Sequence, residues 1–65
     1  MEIAIIGLGL IGGSMAKAIK ENTPHTVYGY DLSDTIMKKA QLIGAIDQPL
    51  SDQLLGQCDL TIIAL

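Results

Sequence analysis

The sequence has few of the residue types that would place it in several large functional classes. Among its 65 residues there are no Trp, Phe or Arg and only one Cys, and charged residues make up 17%. A single Cys cannot form an internal disulfide, which excludes the small secreted disulfide scaffolds and favours a reducing compartment. The net charge is −3, and the only basic cluster is the pair Lys38-Lys39. No nucleic-acid partner is therefore expected.

Long hydrophobic runs are missing too. The longest uncharged stretch covers positions 3–16 and includes four glycines, whereas a membrane-spanning helix needs about 20 apolar residues. The chain opens with Met1-Glu2, unlike the basic start of a secretory signal peptide. The sequence therefore predicts no membrane association and a cytoplasmic location.

What the chain does contain is aliphatic side chains, and 49% of its residues are hydrophobic. A domain of about 60 residues buries only about 60% of the surface that its unfolded chain exposes. Nearly half of these residues have hydrophobic side chains that are stable only when shielded from water, which is more than so short a chain can bury. The composition thus leads us to expect that residues 1–65 are part of something larger.

The hydrophobic pattern alternates between short apolar runs and helical periodicity, in the order β-α-β-α-β-α-β. Strands are predicted at residues 3–6, 26–30, 45–46 and 60–65. The first helix should end near Asn22, and its buried face should carry Ile11, Met15, Ala18 and Ile19. Ser33 and Ser51 are predicted to cap the second and third helices, and Gly44 to end the second.

Strands that alternate with helices predict a parallel sheet with right-handed crossovers. The fold class is therefore α/β, a partial Rossmann fold with strand order 3-2-1-4 and helices on both faces of the sheet. The last strand should lie inside the complete sheet, which strengthens the expectation of a larger protein.

A Gly-x-Gly-x-x-Gly motif joins the first strand to the first helix. Gly7 allows the tight turn, Gly9 lets a pyrophosphate approach the backbone, and Gly12 lets the helix pack closely on the sheet. The phosphates would bind the free N–H groups near Leu10 and Ile11, at the positive end of the helix dipole. The context of a buried strand before the motif and a helix after it makes the signal more specific than the motif alone.

Asp31 ends the second strand, at the position where an acidic residue binds the adenosine ribose of a dinucleotide. A carboxylate there would repel a 2′-phosphate, and no Lys or Arg follows before Lys38. NAD is therefore favoured over NADP as the cofactor. Two alternatives stay open at this point: Asp31 could be only a turn residue, and flavin or S-adenosylmethionine sites occur on the same fold with a similar acidic residue.

The stretches GLGLIGGS at 7–14, VYGYD at 27–31 and LIGAID at 42–47 resemble the start of the prephenate/arogenate dehydrogenases. The resemblance covers essentially the whole chain. It implies that residues 1–65 are the N-terminal part of an NAD(P)-binding Rossmann domain. It also implies oxidative decarboxylation of prephenate to 4-hydroxyphenylpyruvate in tyrosine biosynthesis, or of arogenate to tyrosine.

The resemblance also implies cofactor-binding roles for individual residues. The pyrophosphate would be bound by Gly7, Gly9, Leu10, Ile11 and Gly12, the adenosine ribose by Asp31, and the loop beyond the fourth strand would begin with Ala64 and Leu65. The family's catalytic histidine and substrate-binding arginine lie downstream of the region that residues 1–65 resemble, and neither is present here. The one histidine here, His25, lies at the entry to the second strand, so neither a catalytic residue nor a metal ligand is predicted.

The function predicted for the intact protein is that of an NAD-dependent prephenate dehydrogenase, expected to be a homodimer that acts on a small molecule, while this chain alone should be inactive. The alternatives are an arogenate dehydrogenase, another Rossmann dehydrogenase or reductase, a non-catalytic nucleotide-binding module, and an inactive truncated product. The Ser14 hydroxyl could contact a phosphate or satisfy local backbone. Cys58 is interpreted as an inert packing residue.

Overall fold

Strands and helices alternate along the whole chain in the computed structural model, which describes residues 1–65. The elements are β1 (Glu2–Ile6), α1 (Leu10–Asn22), β2 (Thr26–Tyr30), α2 (Asp34–Leu42), β3 (Gln48–Pro49), α3 (Asp52–Gln57) and β4 (Leu60–Ile63). The predicted order of elements is thus confirmed. No helix is both long enough and apolar enough to cross a bilayer.

The four strands form one parallel sheet in the order β3-β2-β1-β4, which confirms the predicted α/β Rossmann topology. β1 is central: its Ile3 pairs with Val27 on one side and with Leu60 on the other. Three consecutive residues of β1 are almost fully buried, namely Ile3, Ala4 and Ile5. A continuous apolar run is what a strand covered on both faces requires.

Helices cover both faces of the sheet. On one face, Ala16 of α1 and Ala40 of α2 join a core with Ile3, Ile5 and Val27 of the strands. The path from β3 to β4 runs back across the sheet, so a right-handed crossover places α3 on the opposite face. Ala4 and Tyr28 are buried but lie outside that core, as expected for residues pointing to the α3 face.

The buried face of α1 differs from the predicted one. Gly12 and Ala16 face the sheet and Ile19 is half-buried, whereas Ile11 and Met15 lie exposed, as does Ala18. The buried stripe is therefore rotated by about one residue from the stripe of largest side chains. Small residues occupy it because α1 lies close to the sheet, and a glycine carries no apolar signal in a periodicity argument.

The third strand is also displaced from its prediction. Ala45 and Ile46 are not in a strand; they are buried in the connection after α2, with 0% and 4% of their surface exposed. β3 consists only of Gln48 and Pro49 and joins β2 through Tyr28 and Gly29. β4 ends at Ile63, two residues before the predicted end.

The predicted helix caps are confirmed. The Ser33 hydroxyl accepts a hydrogen bond from the N–H of Ile36 at 3.3 Å, and Ser51 accepts one from the N–H of Leu54 at 3.2 Å. Gly44 follows α2 with φ +74°, the left-handed conformation typical of a helix stop. The two serines thus mark where α2 and α3 begin, and Gly44 marks where α2 ends.

The one histidine and the one cysteine of the chain both make contacts within the protein. His25 is half-buried at the start of β2, with its Nδ1 2.7 Å from the amino group of Met1. The Cys58 thiol donates to the carbonyl of Leu54 at 3.3 Å, and burial, followed by the charges of Glu2 and Asp59, raises its pKa. A thiol with a raised pKa is a poor nucleophile, in keeping with a packing role.

Candidate functional site

The residues singled out in the sequence lie at the carboxyl ends of β1, β2 and β4. The glycine-rich loop (residues 7–9) leaves β1, and its Gly7 N–H donates to the carbonyl of Tyr30 at 2.8 Å. On the other side, the N–H of Ala64 donates to the carbonyl of Ile6 at 2.8 Å. The strand order reverses between β1 and β4, which is where ligands bind in open α/β sheets.

Two of the glycines are required by the protein's own packing. Gly7 has φ +96°, and a Cβ there would lie 2.6 Å from the carbonyl oxygen of Ala64. A Cβ on Gly12 would overlap the carbonyl oxygen of Gly7. The turn out of β1 and the close approach of α1 to it therefore both need glycine, as the motif predicted.

The start of α1 is open to solution. Nothing lies within 4 Å of the position that a Cβ on Gly9 would take, and Leu10 and Ile11 are 89% and 72% exposed. Gly9 provides no side-chain cap, and no acidic residue lies in the first turn. Because the first N–H groups of a helix have no partner within it, α1 presents backbone donors and the positive end of its dipole to an incoming anion.

The other two helices lack this feature. α2 and α3 both begin with a serine cap, and each has an aspartate in its first turn, Asp34 and Asp52 respectively. In each of these helices the serine hydroxyl already accepts from one N-terminal N–H, and the aspartate places negative charge at the positive end of the dipole. α1 is the one helix with neither a side-chain cap nor an acidic residue in its first turn, which suits it to binding an anion.

The Asp31 carboxylate is fixed by two backbone donors. One oxygen accepts from the N–H of Ser33 at 2.9 Å, and the other accepts from the N–H of Leu8 at 2.8 Å. These hydrogen bonds, that of Ser33 first, lower the pKa of Asp31. An ionised carboxylate accepts about four hydrogen bonds, so capacity for ligand hydroxyl groups remains.

The surroundings of Asp31 are not basic. Asp31 lines a cavity of about 370 Å³ together with Asp34 and Lys38. The carboxylates outnumber the single ammonium group there. Leu32, the next residue in the chain, is 90% exposed and offers an apolar surface beside the carboxylate.

Some of the candidate residues make few contacts with the rest of the protein. Leu65 is 99% exposed beyond β4. The Ser14 hydroxyl makes no hydrogen bond within the protein and lines a cavity of about 700 Å³ between α1 and α2. No group of three or more His, Cys, Asp or Glu side chains is placed to hold a metal ion.

Two residues of this site contact Asp31 in a way that the sequence does not predict. Leu8 lies between the first two glycines of the motif, yet it is only 5% exposed and its N–H contacts Asp31. The sequence predicts Ser33 as a helix cap, but its N–H also donates to the Asp31 carboxylate. Nothing in the spacing of the motif indicates either contact, because both depend on how the loop meets β2.

Comparison with known proteins identifies the domain. The family model described as the NAD binding domain of 6-phosphogluconate dehydrogenase matches residues 2–65. The chain belongs to this NAD-binding family. Its cofactor is NAD, and the open N-terminus of α1 is chemically suited to it.

A relative with a more specific name matches part of the chain. Over 46 residues, the chain is 50% identical to "Prephenate dehydrogenase" of Bacillus subtilis (strain 168). The match covers 69% of this chain but only 12% of the Bacillus protein. No solved structure matches the chain. These findings show an NAD-binding dehydrogenase domain.

Proposed function

We propose that residues 1–65 form the N-terminal, cofactor-binding part of an NAD-dependent prephenate dehydrogenase. The observation that supports this substrate is the 50% identity over 46 residues to the Bacillus protein of that name. The motifs GLGLIGGS, VYGYD and LIGAID point in the same direction. The intact enzyme would convert prephenate to 4-hydroxyphenylpyruvate in tyrosine biosynthesis.

In this proposal the chain binds and orients NAD. Gly7 and Gly12 shape the turn, and Gly9 leaves room for the pyrophosphate to reach the N–H groups of Leu10 and Ile11. The bound NAD supplies a hydride acceptor for the oxidation. Because the donors are fixed in the backbone, they need little reorganisation when an anion binds.

The remaining candidate residues would contact the rest of the cofactor. Asp31 would accept hydrogen bonds from the adenosine ribose hydroxyls, with Leu32 offering an apolar surface beside it. Ala64 and Leu65 would line the cofactor beyond β4. The chain has no Arg, and its one histidine contacts Met1 rather than the site, so substrate binding and proton transfer belong to residues outside this chain.

The proposal also selects NAD over NADP. A 2′-phosphate would face the ionised carboxylate of Asp31, and Asp34 lies in the same cavity. Placing like charges together at short range costs several kcal/mol where water is partly excluded. We propose in addition that the intact protein is a cytoplasmic homodimer that binds neither nucleic acid nor membrane.

The test is the appearance of NADH when the purified intact protein is mixed with NAD and each of three substrates, prephenate, arogenate and 6-phosphogluconate. We expect turnover with prephenate. The third substrate is included because the family model is described by 6-phosphogluconate dehydrogenase. Faster turnover of arogenate or 6-phosphogluconate would replace the proposed substrate, and NADH binding without any turnover would favour a non-catalytic nucleotide-binding module.

A further inference from the structure

Gly29 is a glycine that neither the cofactor motif nor a turn explains. It lies in the interior of β2, paired with Ile5 of β1 and Pro49 of β3, and it is buried. Its backbone does not have a positive φ. Glycine weakens a strand interior unless another group approaches its backbone closely.

Two side chains fill the space above Gly29. A Cβ there would lie 2.6 Å from Cγ2 of Ile46, and 2.9 and 3.1 Å from the two Cδ atoms of Leu8. Two of these distances are shorter than any that real Cβ atoms show. Any larger residue at position 29 must therefore displace Leu8, Ile46 or both.

Leu8 is the only side chain that anchors the glycine-rich loop, since its two neighbours are glycines. It is 5% exposed and belongs to the core formed with Ile46 and Val27. Its N–H also donates to Asp31 at 2.8 Å. Both the side chain and the backbone of Leu8 are thus held by the end of β2.

We propose that Leu8 and Gly29 are positioning residues of the NAD site: Leu8, seated on the bare backbone of Gly29, sets the distance between the glycine-rich loop and β2. This inference rests on the proposed binding of the pyrophosphate in front of Gly9. Binding sites tolerate displacements of only about 0.5 Å. A methyl group at position 29 must displace the side chain of Ile46, that of Leu8 or both, and we expect the displacement of Leu8 to shift the glycine-rich loop.

The experiment measures the NADH dissociation constant of the intact enzyme by fluorescence titration. Gly29→Ala is compared with Gly56→Ala, a matched control because nothing lies within 4 Å of a Cβ at position 56. We expect the dissociation constant to rise at least tenfold for Gly29→Ala and to stay within twofold for Gly56→Ala. Adding Leu8→Val to Gly29→Ala removes the clashing Cδ atoms and should recover part of the affinity.

Steady-state kinetics separate positioning from loss of folded protein. A smaller folded fraction lowers the apparent kcat but leaves both KM values unchanged. A displaced loop raises KM for NAD and leaves KM for prephenate unchanged. We expect the second pattern for Gly29→Ala.

A second pair of variants covers the case in which Gly29→Ala does not fold. Leu8→Ala removes the anchor and adds no atom, while Leu54→Ala makes the same deletion in α3, away from the loop. We expect NADH binding to be weaker for Leu8→Ala and unchanged for Leu54→Ala. Equal dissociation constants for Leu8→Ala and Leu54→Ala, or for Gly29→Ala and wild type, would overturn the inference. A wild type that binds NADH but does not oxidise prephenate would contradict the proposed substrate and leave the inference standing.

Discussion

The carboxylate of Asp31 forms hydrogen bonds within the protein even without a ligand. It holds the N–H of Leu8 in the glycine-rich loop and the N–H of Ser33 at the start of α2. The loop and the ribose-binding position are thereby tied to one side chain. Substituting Asp31 should alter cofactor choice and also loosen the loop, so cofactor choice must be judged from a ratio of two cofactors.

Replacing Asp31 by Ser removes the charge that opposes a 2′-phosphate and leaves some hydrogen bonding to the ribose. In the intact enzyme, we expect the ratio of kcat/KM for NAD to that for NADP to fall at least about tenfold, equivalent to 1.4 kcal/mol. Adding Leu32→Arg should lower the ratio further. Initial rates with both cofactors at saturating prephenate measure it.

Asp34→Ser is the matched control for this change. It removes one negative charge from the same cavity but makes no contact with the glycine-rich loop. Its ratio should change much less. An unchanged ratio for Asp31→Ser would show that Asp31 is only a turn residue, and the case for NAD selection by this carboxylate would fail.

Among the elements, those with local signals were predictable from sequence and those shaped by packing were not. Ser33, Ser51 and Gly44 act through their own backbone neighbourhood, so the limits of α2 could be predicted. The face of α1 could not, because Gly12 is buried for its small size. The position of β3 could not be predicted either, because a strand of two residues that includes Pro49 has no recognisable hydrophobic pattern.

Candidate site residues divide in the same way. The positions of Gly7, Gly12 and Asp31 follow from motif spacing. The structure places Gly7 and Asp31 directly after β1 and β2, and Gly12 in α1 against the carbonyl of Gly7. The burial of Leu8 depends on the space above Gly29, which only the folded sheet creates. A motif describes what the ligand needs, whereas contacts between elements depend on tertiary packing.

Asp47 joins α1, β2 and the connection after α2. It forms an ion pair with Lys20 at 2.9 Å and accepts from the N–H of Val27 at 2.7 Å. Burial acts to raise the pKa of Asp47, but the hydrogen bonds from Val27 and Lys20 outweigh it and the net pKa is lowered. A lowered pKa stabilises the fold above the unfolded-state value of about 4, and this stabilisation is lost as the pH falls through the folded-state value.

We therefore expect Asp47→Asn to cost about 1 kcal/mol near neutral pH, a value discounted because the paired side chains are 25% and 34% exposed. The cost should shrink as the pH falls below about 4, where the wild-type carboxylate becomes protonated. Urea-induced unfolding, followed by far-ultraviolet circular dichroism across this pH range, provides the test. Asp52→Asn is the control, and an Asp47→Asn penalty that does not vary with pH would contradict the argument.

At the scale of the whole molecule, the two edges of the sheet are unlike. The β3 edge is two residues long and includes Pro49, which has no N–H to offer another strand. The β4 edge contains no charge and no proline, and Leu60 and Ile63 are 44% and 67% exposed. An unblocked apolar edge of this kind invites pairing with another chain.

Residues 1–65 studied alone should consequently self-associate or be partly unfolded. A domain of this size is marginally stable, and only 13 of its 65 residues are buried. Analytical ultracentrifugation and a thermal melt give the answer. A monomer with a cooperative transition above about 60 °C would contradict this expectation.

The same isolated chain should not oxidise prephenate. The one histidine of the chain, His25, contacts Met1 at the start of β2, at the opposite end of that strand from Asp31. We expect the rate of NADH formation to equal the uncatalysed rate. Turnover above that background would mean that a catalytic group within residues 1–65 has been overlooked.

The glycines of the motif differ in what opposes a larger residue at each position. Gly7 and Gly12 are required by the protein's own backbone, so a descendant that had lost its nucleotide would still retain them. Nothing in the protein lies within 4 Å of a Cβ on Gly9, so in the proposed site only the bound nucleotide would oppose a larger residue there. In a lineage that drifts away from dinucleotide binding, the middle glycine is free to change first, which makes its loss a more sensitive mark of lost function than the motif as a whole.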